Sequence, residues 1–114
     1  MANAWEIPGG EFTLDAAANL TWRRFVKCDS TGCADYATAG TDAIVGITYT
    51  EANAGRPISI IGSGIAMVEA SETIAAGDFV EPTTGGKAAK ADSGTAFIAL
   101  TGADADNLIT VKIG

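Results

Sequence analysis

Between Gly64 and Pro82 the chain alternates and turns in a span too short for anything but strands. Ile65 and Met67 alternate with Ala66 and Val68, a polar turn runs from Glu69 to Thr73, and Ile74-Ala-Ala-Gly-Asp-Phe-Val80 opens a second apolar run. The segment reads as strand, connection, strand. Gly77 permits positive φ at the corner, and Asp78 is placed to bond back to nearby backbone N–H groups. The same punctuation recurs along the chain. Strands are expected at Thr21–Cys28, with Trp22 and Phe25 as its large anchors, and at Ala43–Tyr49, Pro57–Ile61, Ala96–Leu100 and Leu108–Ile113, with a hairpin tip at Thr83–Lys87 and a turn at Ala103–Asn107. In the last strand Ile109, Val111 and Ile113 share one face, with Thr110 and Lys112 on the other. Turns at this spacing, with almost no helix, indicate an all-β fold, a small barrel or sandwich of short strands.

A faint internal echo accompanies the pattern. Ala54-Gly55 before Ile58–Ile60, Ala76-Gly77 before Phe79-Val80, and Ala105-Asp106 before Ile109–Val111 each set a small residue and a turn-former ahead of a strand. Reuse of one hairpin chemistry accounts for it.

The 114 residues suit one domain with a single modest core. The net charge of −7 is the opposite of a nucleic-acid-binding footprint, so DNA and RNA are discounted as partners. No apolar stretch approaches the length of a membrane span, and no signal-peptide pattern appears, so synthesis in a cytoplasm is expected.

Residues 1–20 differ in character from the rest of the chain. Trp5, Ile7, Phe12 and Leu14 are scattered around Pro8-Gly9-Gly10, and Asp15–Leu20 has room for a turn or two of helix at most. Two readings stand: an arm that orders against a neighbour, or a terminal strand packed on its own domain. The division adopted is an arm over 1–20 and a single β domain over 21–114, with Trp5, Ile7, Phe12 and Leu14 as the arm's contact residues. Cys28 and Cys33 flank a short hairpin loop. They are read as a disulfide in a particle released from the cell or as two thiols inside it.

Chemistry is thin. There is no histidine, no nucleophile elbow and no phosphate-cradling loop, so neither catalysis nor a cofactor is expected. Asp104, Asp106 and Asn107 lack the glycine and closing glutamate of a calcium loop and read as a solvated turn. Lys87 beside Gly85-Gly86 invites comparison with the lysine of biotinyl and lipoyl carrier domains, without their surrounding pattern.

From about Ala43 onward the sequence resembles the capsid decoration, or cement, proteins of tailed bacteriophages. The resemblance rests on Val45-Gly46-Ile47, Ala54-Gly55 to Ile60, Gly64 to Ala70, Ile74 to Asp78, Gly86-Lys87-Ala88 and Leu108 to Ile113. It implies a β-clip-like domain that sits as a homotrimer on the outside of the virion head and bridges major capsid protein subunits. A tail or baseplate module, or a carrier subdomain of an enzyme, are the alternatives. Phe79, Ile98 and Leu100 are expected to find few partners within one copy.

Overall fold

A computed structural model describes residues 7–92 and 97–113. Among them nine strands form one curled antiparallel sheet: β1 (Ile7–Asp15), β2 (Phe25–Cys28), β3 (Ala34–Tyr36), β4 (Ile44–Thr48), β5 (Pro57–Glu69), β6 (Phe79–Pro82), β7 (Ala88–Lys90), β8 (Phe97–Ala99) and β9 (Leu108–Ile113). The expected all-β class is what the chain adopts. A 3-10 turn over Thr84–Gly86 stands at the expected hairpin tip.

β5 organises the rest. The sequence pattern breaks the strand between Ile61 and Gly64, yet β5 runs through its 13 residues without a turn. The small residues Gly62, Ser63 and Gly64 let it change partners instead. β1 lies along one edge, from Pro57 to Ile65. On the opposite edge, β4 pairs with Ile60 and Ile61, and β9 takes over from Gly64 to Glu69. Ile7 and Ile113 therefore stand opposite neighbouring positions in the middle of β5, Ile65 and Gly64.

The handover divides the sheet into two halves of identical topology. The first has the order β1-β5-β4-β2-β3, and the second β5-β9-β8-β6-β7. The minor bridges repeat as well. Ala16 pairs with Ala34 and Leu20 with Ala52, as Ala70 pairs with Ala88 and Ile74 with Ala103. So do the turn bonds: Gly55 N–H donates to Ala16 O as Asp106 N–H does to Ala70 O, and Gly32 N–H to Asp29 O as Gly86 N–H does to Thr83 O. Even the left-handed backbone at Gly55 recurs at Asp106. The chain is a tandem repeat in which β5 serves both copies, closing the first and opening the second.

Each half curls until its ends meet at the Ala16–Ala34 or Ala70–Ala88 bridge. Inside the first lie Ala16, Leu20, Val26, Ala34, Ile58 and Ile60, with Leu14 packed against them. The second encloses Val68, Ile74, Val80, Ile109, Val111 and Ile113. Into that second core the first half also inserts residues of its outer surface: Phe25, Ala37, Ile47 and Ile61. Phe25 stacks on Phe97 at 5.1 Å. Sizes are traded between equivalent positions. Phe12 lies across Gly62, where a methyl group would stand 2.7 Å from its ring, while the second half has Ala66 and Ile113 at those places.

Thr110, on the face of β9 opposite Ile109 and Val111, is buried as well: its N–H donates to the Thr101 hydroxyl and its carbonyl accepts from Leu100 N–H. Other expectations need correction. The strand expected from Thr21 starts only at Phe25, because Arg23 is left-handed with φ of 61°. No helix forms over Asp15–Leu20; the stretch bends at Ala17 and Ala18, and bonds to Arg56, Ala34 and Ala52 hold it against the sheet.

Candidate contact surface

The segment read as an arm is, from Ile7 onward, a strand of the chain's own sheet. Eight residues of β1 pair with β5, and Leu14 packs on the first core. Of the two readings of this segment, own-domain packing describes residues 7–15. Trp5 lies outside the described residues, as does the side chain of Ile7. Phe12 remains 37% exposed.

The cysteine hairpin forms, but no bridge does: both thiols are free. Cys28 stands opposite Ala34, and the carbonyl of Cys33 accepts from Asp29 N–H. Successive strand residues point to opposite faces, so this register does not set the two sulfurs against each other. The loop is tied instead by Asp29, whose carboxylate accepts from Thr31 Oγ1, Thr31 N–H and Cys33 N–H. The Thr31 hydroxyl, then those N–H groups, hold the Asp29 carboxyl below the usual range.

Lys87 is no presented lysine. Its Nζ lies 2.8 Å from Asp106 and 3.0 Å from Glu69, and Glu69 is also 3.3 Å from Arg24. Arg24 comes from the first half and donates to Gly85 O at 3.0 Å, so this network pins one half to the other. Asp106, then Glu69, raise the pKa of Lys87, and Lys87 lowers that of Asp106. A raised lysine pKa stabilises the fold below the free value of about 10.4 and is lost as pH rises through the folded one. A lowered carboxyl pKa stabilises above about 3.9 and is lost as pH falls through the folded one. Thermal unfolding across pH is therefore expected to separate wild type from Lys87→Met by a few degrees between these limits and to bring them together at either extreme.

The most exposed large apolar side chain among the described residues is Trp22, at 56%. It stands on the loop between Leu20 and Phe25, which the buried Thr48 holds: the Thr48 hydroxyl donates to Thr21 O and accepts from Arg24 N–H, and Thr48 O accepts from Arg23 N–H. That geometry demands the left-handed conformation at residue 23. The second half answers the same demand with Gly77, φ 90°, whose N–H likewise bonds across to Ala99. The first half uses arginine, at a cost of about 1 to 2 kcal/mol. Its guanidinium sits 5.4 Å from the Trp22 ring centroid and 5.1 Å from that of Tyr49. A groove of about 400 Å³ lies alongside, lined by Trp22, Tyr49, Thr50 and Glu51. Strain retained beneath an exposed tryptophan, beside a tyrosine and an arginine, the residue types that dominate protein interfaces, makes this tip the candidate contact. In sequence Trp22 reads only as a strand anchor. The clue is a glycine position filled by arginine, visible once the halves are superposed in register.

No cluster of three or more metal-ligating side chains occurs among the described residues, and no described helix is long and apolar enough to cross a membrane.

No family model matches the sequence, and neither does any curated protein. A solved structure does share the fold: the chain aligns with the N base of head fiber gp8.5 of bacteriophage phi29 with a TM-score of 0.76, over 92% of this chain and 93% of that one, at 18% identity.

Proposed function

We propose that this protein is a structural component of a bacteriophage head, bound to the outer surface of the capsid, where it steadies the shell by bridging major capsid protein subunits. The observation that carries the reading is the fold shared, over nearly the whole length of both chains, with the base of a head fiber. The sequence resemblance to decoration proteins points the same way. The acidic surface suits a protein outside the shell, and the Trp22–Arg23–Tyr49 tip supplies an anchor of the kind such docking uses. Attachment needs no catalytic group. Many copies, each touching more than one subunit, hold firmly even where a single contact is modest.

A second reading is favoured by the neighbour's being a fiber base: this domain is the foot of a longer appendage, and holding that appendage rather than bracing the shell is its task. Adding the protein to undecorated heads and to tails, then sedimenting, tests both. Saturable binding to heads that raises their resistance to heat supports bracing; binding without that gain supports the foot; binding to tails alone removes the head assignment. Trp22→Ala is expected to weaken head binding by at least about tenfold while leaving thermal unfolding nearly unchanged.

A further inference from the structure

The repeat exposes in one half what it buries in the other. Across the outer surface of the first half, Phe25, Ile47 and Ile61 form a row in register over β2, β4 and β5. All three are fully buried against the second half. At the equivalent places of the second half stand Phe79, Ile98 and Lys112, in register over β6, β8 and β9, and Ile65 of β5 continues the row. Phe79 and Ile98 are 36% and 40% exposed.

We propose that this second row is the seat for another copy of the same chain, which docks on it through the first half, at Phe12. The counterpart row already shows what covers such a surface: a half of this same fold. In the chain, Phe25 joins a core that contains Ala66 and Ile113; at the same two positions the first half has Phe12, aromatic and turned partly to solvent, and Gly62. Row and site are different surfaces, so the contact is heterologous, and successive copies either close a ring or extend.

Sedimentation equilibrium on the full chain tests this without any head, so its failure leaves the proposed function standing. Wild type is expected to self-associate, and Ile98→Glu to lower the association constant at least about tenfold with unchanged thermal unfolding. Phe12→Ala is expected to do the same from the other side; should it unfold, Phe12→Leu, which removes the ring but keeps the position apolar, replaces it. Mixing the two kinds of variant joins one intact row to one intact site, and the expected product is a dimer that grows no further. A monomeric wild type, or an Ile98→Glu protein that associates like wild type, overturns the proposal. So does an Ile98→Glu protein that keeps its self-association and loses head binding, for then the row belongs to a capsid partner.

Discussion

Replacing Phe25 by alanine is expected to destabilise the protein by about 3 to 5 kcal/mol, a large share of the total stability of a domain this size. The side chain has no exposed surface, stacks on Phe97 and belongs to the core of the half to which its own strand does not contribute. Truncation leaves a cavity at the junction, where neither half is able to collapse without moving the other. Phe79→Ala is the internal control. It alters the equivalent residue of the second half, but at a side chain 36% exposed, and is expected to cost less than about 1 kcal/mol. Urea unfolding of the two variants side by side reads the difference through their midpoints. Equal, small losses are the result that refutes docking of the halves through Phe25.

Deleting residues 2–12 is expected to be as damaging. It removes the β1 positions that pair with Ile60 to Ile65, takes Phe12 away from Gly62, and leaves an edge of β5 without hydrogen-bond partners. The first core then faces water where β1 had covered it. The thermal midpoint is expected to fall by well over about 10 °C, or the protein to be recovered as aggregate. An arm that merely reached for a neighbour predicts the reverse, an unchanged midpoint with lost binding. Loss of head binding by this truncation therefore says nothing about contact residues. Trp22→Ala, which leaves β1 intact, is the cleaner probe.

Much of the architecture is legible from residue pattern. The strands at Ile44–Thr48 and Leu108–Ile113 are expected from it, as is the corner at Gly77-Asp78, where Asp78 does accept from Ala75 N–H. Alternation and turn chemistry are local, and local rules suffice for them. The repeat is visible in sequence only in misaligned form. Ala54–Ile60 and Ala105–Val111 are true counterparts, whereas Ala76-Gly77 corresponds to Trp22-Arg23, a match that composition hides. Pairing partners reveal it; side chains do not, since Phe12/Gly62 and Ala66/Ile113 keep the space filled while exchanging which position fills it. The arm fails for a related reason. Pro8-Gly9-Gly10 looks like a hinge, and the register of β1 does shift there, but a bulge absorbs the irregularity and the strand continues beyond it. Period-two alternation places Thr110 and Lys112 on one face of β9 but does not tell them apart; the Thr101 hydroxyl, which takes the Thr110 N–H, lies where Thr110 is buried, while Lys112 stays exposed.

The position of the strand ends opposite the middle of β5 has a mechanical consequence. β1 leads away from Ile65 toward Pro57, while β9 arrives from Glu69 and stops at Gly64, so the two run parallel to each other on opposite flanks of one strand. A pull applied through Ile7 and Ile113 drags β1 and β9 lengthwise in opposing directions along β5. Bonds perpendicular to the strands are then loaded together in shear, not peeled one pair at a time. The force passes from β1 into β5 and out through β9, bypassing β2, β3, β6 and β7. A domain strung this way is rigid along the line between these two strand ends, and Trp22 stands off that line on a loop outside the path of the load.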